Sequence, residues 1–272
     1  MKLILRNNLI LVPNLFKGDG DTFIYVLQSW FNNNLTLLFS PLAKAFQLAT
    51  LQKRIKGLNQ TDVNFSPNYK DTVLDKLDIY YINLDHRQDR KIEVTDEFNK
   101  LGIENYNRFN AIKNTNGALG CALSHKTTLE TWSADDSRLL MVCEDDIKFN
   151  GSLEELKKLV SEFKHDKNLD ILCLSFNHLN EAQYNDYFYL TSDTQTTACY
   201  VVKPHMKEIL LKSFKLSVKL LEAGIDNQYI VAIDQVWKVL QKKYNFIIPI
   251  TRFAFQRESF SDIENRTVNY KV

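Results

Sequence analysis

The sequence lacks a surplus of either charge. Thirty-four Lys and Arg side chains face 33 Asp and Glu, leaving a formal +1 over 272 residues. Bulk nucleic-acid binding usually needs a clearly basic balance, and none is present. It also lacks a CxxC pair: Cys121, Cys143, Cys173 and Cys199 stand far apart among apolar neighbours. That removes zinc knuckles and redox dithiols, and predicts reduced, buried thiols of a cytosolic protein. A long unbroken apolar run is missing too. Arg6 interrupts the first stretch and Pro13 the next, so no cleaved signal is expected. Thr22 to Ala43 is free of charge, but Gln28, Ser29, Asn32, Asn33, Asn34 and Pro41 lie within it. Three consecutive amides near mid-bilayer would be costly, which excludes a membrane span there. There is no internal repeat and no GxxxxGK[ST] loop, so the repeat architectures and a P-loop phosphotransferase are set aside.

What is present is ordinary globular composition, 44% hydrophobic and 25% charged, unevenly arranged. Residues 1–60 hold seven basic side chains against two acidic ones. Phe23, Val26, Leu27, Trp30 and Phe31, then Leu35, Leu38, Phe39, Leu42, Phe46 and Ala49, recur at helical spacing. The spacing predicts helices packed on a main domain, with an interfacial helix on an anionic membrane as the sharper alternative. Residues 59–75 read as a linker. The chain thus divides into a helical N-terminal extension and linker, 1–75, and a domain over 76–272.

That domain alternates strands and helices. Apolar runs at Ile79–Leu84, Leu139–Cys143, Leu169–Phe176 and Ala198–Val202 read as buried strands. Helices are expected from Arg90 to Leu101, stopped by Gly102, over 119–133, and from Ser152 to Phe163. Ser152 with Glu155 forms a capping-box pattern. The class is α/β.

Three segments carry chemistry. Glu144-Asp145-Asp146 closes an apolar strand, where three adjacent carboxylates repel one another unless a cation joins them. Hard oxygen donors suit magnesium or manganese, and ligands of open α/β sheets gather beyond the carboxyl ends of the strands. Strand alternation would put Glu144 and Asp146 on one side and Asp145 on the other; a solvated acidic turn is the bland alternative. In Asn83-Leu84-Asp85-His86-Arg87-Gln88-Asp89-Arg90, Arg87 and Arg90 bracket a helix start suited to phosphate. The competing possibility is that Asp85 caps that helix while the arginines pair with Asp89 and Glu93. In Gly117-Ala118-Leu119-Gly120-Cys121-Ala122-Leu123-Ser124-His125 the glycines permit close backbone approach, and Ser124 and His125 add polar groups.

Tyr81-Ile82-Asn83-Leu84-Asp85, Arg87, Asp89-Arg90, Arg108-Phe109-Asn110-Ala111, Gly120–His125 and Glu144-Asp145-Asp146, in that order, resemble glycosyltransferase family 25. This is the family of lipopolysaccharide-type and procollagen galactosyltransferases. Thr197–Val202, Ile233-Asp234, Gln256 and Ser261-Asp262-Ile263 extend the resemblance to about Asn265. It implies a GT-A-like nucleotide-sugar-binding fold, a mixed, mainly parallel sheet flanked by helices. It implies a UDP-sugar donor and a Mn2+ or Mg2+ ion held by Glu144 and Asp146, with Asp145 near the donor sugar. Asn83, Asp85, Arg90, Ser124 and His125 match nucleotide contacts. Inversion in one displacement needs a base on the acceptor hydroxyl; Asp234 matches it, with Asp262 as runner-up. The expected reaction is transfer of a hexose, galactose foremost, to a hydroxyl of a glycan, glycolipid or glycoprotein, in the cytoplasm or at its membrane surface. Ala118 stands where such families usually carry an acidic residue, so the alternative is a weak or inactive relative that binds sugar without transferring it.

Overall fold

The computed structural model describes residues 3–5, 9–11, 40–58, 73–178, 180–225, 227–261 and 266–268. Much of the expected helical face before residue 40, most of the linker, and Asp262 lie outside them. Leu3–Leu5 pairs antiparallel with Leu9–Leu11, and the helix α1 spans Ser40–Gly57.

The domain begins with β1 (Leu77–Asn83) and α2 (Gln88–Leu101). Gly102 ends α2 with φ 77°, the left-handed cap that glycine adopts without penalty. β2 (Asn107–Asn110) precedes α3 (Gly117–Thr131), and β3 (Leu139–Glu144) runs into the acidic triplet. After β4 (Ile147–Phe149), α4 (Leu153–His165) starts at Ser152, whose Oγ accepts from Glu155 N–H at 3.2 Å. The caps therefore sit where the sequence put them. β5 (Ile171–Cys173), β6 (Glu181–Gln183), β7 (Phe188–Thr191) and β8 (Cys199–Val202) lead to α5 (Lys207–Glu222). Two four-residue helical turns follow, α6 (Gln228–Val231) and α7 (Ile233–Val236), then β9 (Phe246–Pro249) and β10 (Ala254–Gln256).

Eight strands form one sheet in the order β2-β1-β3-β8-β5-β9-β7-β6. β1 pairs parallel with β2 and β3, and β5 with β9. β8 runs against β3 and β5, and β7 against β9 and β6. Six strands thus share one direction, giving the expected mixed sheet. The period of two divides its side chains cleanly. Leu140 and Val142 of β3 pack on one face beneath α3 and α5, whose Ala122, Leu129, Leu210 and Phe214 are buried. Leu139, Met141 and Cys143 pack on the other beneath α2 and α4, through Val94, Phe98, Leu156 and Phe163. Leu51 of α1 joins this second face, and Arg54 Nη1 donates to Gln241 O at 2.7 Å. At about 25 cal/mol per Å2 of apolar surface, two such faces supply the main favourable contribution to folding.

Candidate active site

The parallel pairing of β1 with β3 sets Ile82 beside Glu144, so both strands end together, Asn83 next to Asp145. Beyond these ends lies a cleft of about 210 Å3. Its walls include Arg90 from α2, the loop Ala111–Asn114, Gly117, Gly120, Cys121, Ser124 and His125 from α3, the acidic triplet, and Gln256.

Gln256 arrives through the antiparallel ribbon of β4 with β10, which pairs Gln256 with Ile147. Its Nε2 donates to Glu144 Oε2 at 3.3 Å and, less closely, to Asp146 Oδ1 at 3.4 Å. Glu144 Oε1 accepts from Thr197 Oγ1 at 3.1 Å and lies 3.3 Å from His125 Nε2. His125 Nδ1 is 3.1 Å from Tyr200 Oη. Desolvation would raise the Glu144 pKa, but hydrogen bonds to His125 and Thr197, together with electrostatic attraction to His125 and Arg90, hold it below the ordinary carboxylate value. Asp146 goes the other way: burial, reinforced by the Glu144 charge, pushes it up to about 7.

Strand alternation does not continue past Glu144. Asp145 and Asp146 occupy a turn, and one guanidinium nitrogen, Arg90 Nη1, reaches Asp145 Oδ1 at 2.9 Å and Asp146 Oδ2 at 3.4 Å. Both carboxylates therefore share a partner instead of facing apart. Asp145 Oδ2 accepts from Asn83 Nδ2 at 2.8 Å, so both its oxygens are engaged by protein. Burial raises Asp145, against the pull of Arg90. Asn83 is buried and fully occupied: Nδ2 also donates to Arg87 O, and Oδ1 accepts from Arg108 Nε at 3.0 Å.

The outer rim is different. Asp85 is exposed, accepting from Arg108 Nη2 at 2.7 Å and Asn110 Nδ2 at 2.8 Å, which lower its pKa. It does not cap α2; Arg87 occupies that position without a side-chain cap. Arg87 pairs with Asp89 at 2.9 Å, as the competing possibility has it, whereas Glu93 pairs with Arg257 and not with Arg90. On α3, Ser124 Oγ donates to Gly120 O and accepts from Ile112 N–H at 2.8 Å, tying the loop wall to the helix. A Cβ on Gly120 would lie 2.7 Å from Ile112 O, so its missing side chain admits the protein's own loop. Cys143, Cys173 and Cys199 are buried as expected, whereas Cys121 is half-buried and faces the cleft.

Asp234 is not among the cleft-lining residues. Its Oδ2 accepts from Thr196 N–H at 3.1 Å, and burial raises its pKa. Thr196 Oγ1 in turn donates to Gln256 Oε1 at 3.2 Å, which links Asp234 to the acidic cluster. With φ 75°, Thr196 is the one non-glycine at positive φ among the described residues, and β-branched residues adopt that region only under strain. The sequence gives Thr196, Thr197 and Tyr200 no site role; the one sign is that Thr197–Val202, which includes Thr197 and Tyr200, belongs to the family resemblance.

Fit to a divalent cation can be tested on the donor set. Glu144 and Asp146 present hard oxygens to one side-chain amide, and a cation would offset both the burial of Asp146 and its repulsion from Glu144. The residues fit such an ion.

Residues 114–253, just over half of the chain, match the family model described as glycosyltransferase family 25 (LPS biosynthesis protein). No curated protein sequence matches. Among solved structures, a glycosyltransferase involved in glycosylation of the major capsid of PBCV-1 is 12% identical, over 63% of this chain and 80% of that one, with TM-score 0.37. A putative glucose-1-phosphate thymidylyltransferase from Bacillus anthracis is 13% identical, over 70% and 74%, with TM-score 0.37. Mannose-1-phosphate geranyltransferase from Thermus thermophilus is 10% identical, over 64% and 59%, with TM-score 0.34. The matched residues contain α3, the acidic triplet and Asp234, and the sheet around them is mixed, mainly parallel and flanked by helices, the architecture that the sequence resemblance implies. The chain belongs to glycosyltransferase family 25.

Proposed function

We propose that this glycosyltransferase moves a hexose, with galactose the first candidate, from a UDP-sugar to a hydroxyl of a glycan, glycolipid or glycoprotein, with inversion. The observation that carries the reading is Glu144, Asp145 and Asp146 lining a cleft beyond the ends of β1 and β3, in a chain of this family. In the proposal, residues 76–272 form the transferase domain and 1–75 its extension.

Glu144 and Asp146 would hold Mn2+ or Mg2+, which when bound supplies positive charge to a leaving diphosphate. Arg90, fixed by Asp145 and Asp146, sets the positive charge of the cleft wall. Asp145 acts through that arrangement, locking Arg90 and Asn83 beside the donor sugar. Asn83, Asp85, Arg87 and Arg108 shape the nucleotide rim, and Gly120, Ser124 and His125 the opposite wall. Asp234 is the proposed base, its raised pKa bringing a carboxylate closer to working pH, with Thr196 N–H fixing one oxygen. Asp262 stays the second candidate by its match to the family pattern. Ala118, in the first turn of α3, packs in the core and not among the cleft-lining residues, which favours a working cleft over the inactive alternative. No helix among the described residues is long and apolar enough to cross a membrane. Lys53 and Lys56, exposed near the end of α1 while Arg54 is turned to Gln241, support peripheral contact with anionic lipid as part of the proposal.

Calorimetric titration of UDP, with manganese and then with EDTA, tests the reading. Micromolar binding that requires the metal is expected, followed by donor turnover in a screen of UDP-sugars; no binding in either condition would overturn it.

A further inference from the structure

Glu144 has a second set of neighbours besides Asp146 and Gln256. Cys121 and His125 are four residues apart on α3, so both side chains leave the same helix face one turn from each other. One ligand atom from each of Cys121, His125 and Glu144 lies within 4.8 Å of the others, and all three residues line the cleft. The separation of His125 Nε2 from Glu144 Oε1 is 3.3 Å. Two ligands at about 2.0–2.2 Å from a tetrahedral zinc stand about 3.4 Å apart, so this edge already has the right length.

The surroundings suit an ion. Tyr200 Oη sits 3.1 Å from His125 Nδ1 and the two rings stack, the kind of outer partner that fixes a ligating imidazole with Nε2 turned toward Glu144 and the cleft. Thr197 Oγ1 steadies Glu144 Oε1. Burial, and after it the charges of Glu144, Asp234 and Asp146, push the Cys121 thiol well up, and a bound cation would offset that negative field. One sulfur, one imidazole nitrogen and one carboxylate oxygen select borderline-soft ions such as Zn2+ or Co2+ over Mg2+ and Mn2+.

We propose that Cys121, His125 and Glu144 form a zinc-type site with its remaining position open to the cleft. On binding, the metal–sulfur bond replaces the S–H bond and that proton leaves to solvent. The imidazole carries its proton on Nδ1, toward Tyr200, and no electron is transferred. Because Glu144 would serve both this site and the all-oxygen pair with Asp146, zinc and manganese compete for the chain. That antagonism rests on the function proposed above; occupancy of the site does not.

The test is cobalt titration of the purified, metal-stripped full chain. A thiolate-to-cobalt charge-transfer band that saturates at one ion per chain and is bleached by zinc is expected. Cys121→Ala should abolish the band, and Tyr200→Phe should weaken cobalt binding about ten- to a hundredfold. Circular dichroism checks each fold, with Cys121→Ser read in the same way if the alanine variant does not fold. Absence of the band in the unmodified chain, or its persistence in the folded Cys121 variant, overturns the site. With an active donor found, added zinc should lower manganese-supported transfer, and Cys121→Ala should reduce that sensitivity. If no donor is ever turned over while the cobalt band forms, the function fails and the metal site stands.

Discussion

The two ends of the central sheet both bury a cation, and they use it differently. At the carboxyl end of β3, Arg90 meets two carboxylates, and their attraction outweighs burial and raises its pKa. At the opposite end, Lys203 follows β8 and donates to Asp166 O at 2.5 Å, its ammonium 4.9 Å from the centre of the Phe163 ring. There burial wins and lowers the lysine to about 8. Around it Tyr184 Oη donates to Asp166, and Asn245 N–H to Asp170, stitching loops together. Only the first end opens into the cleft. A buried charge by itself is thus no mark of a site; what matters is a buried charge with an open face toward a ligand.

The comparison can be broken most severely at Asp146. Asp146→Ala should abolish transfer while leaving the thermal transition in place, since it removes a carboxylate already disfavoured by burial and by the neighbouring Glu144 charge; undiminished turnover would dissolve the distinction between the ends. Asp234→Asn should lower kcat by about a hundred- to ten-thousandfold with UDP affinity retained, read by steady-state kinetics beside calorimetry. A large loss of affinity would move Asp234 from base to binding wall.

Arg90→Ala strands two buried carboxylates and should cost about 3–5 kcal/mol in urea unfolding, with Arg90→Ala/Asp145→Asn recovering part of it. The smallest effect belongs to the far end. Below about pH 8 Lys203 is charged in both the folded and the unfolded chain, so its burial cost is felt in full. Between about 8 and its ordinary 10.5 the folded chain releases the proton while the unfolded chain keeps it, so stability rises with pH. Relative to Lys203→Met, the unmodified chain should gain about 3 kcal/mol across that window, and UDP binding should not change. A flat difference between the two would show that the carbonyl and ring contacts neutralise the burial cost.

Much of this was legible because it is local. The runs ending at Cys143 and Val202 became central strands, Gly102 and Ser152 cap helices as their types predict, and the acidic triplet lies at a strand end facing a cleft. β2, with the sequence Asn-Arg-Phe-Asn, offers no apolar run because it is an edge strand, so pattern alone passed over it. The closeness of Gln256 to Glu144 depends on a ribbon joining positions more than a hundred residues apart, which no local pattern encodes. The alternative that pairs Arg90 with Glu93 fails for the same reason: Glu93 is near in sequence, but the turn after β3 is nearer in space.

The backbone of Thr196 has a consequence for anyone who would stabilise this enzyme by selection. Its left-handed conformation stores about 1–3 kcal/mol, a sizeable share of the roughly 5–15 kcal/mol that separates a domain from its unfolded chain. Screening for heat resistance alone would be drawn to Thr196→Gly, which relaxes that conformation. The same exchange deletes the hydroxyl that holds Gln256, and with it the tether between Asp234 and the acidic cluster. Robustness and activity are therefore set against each other at a single peptide, and a library scored on survival would drift away from the reaction.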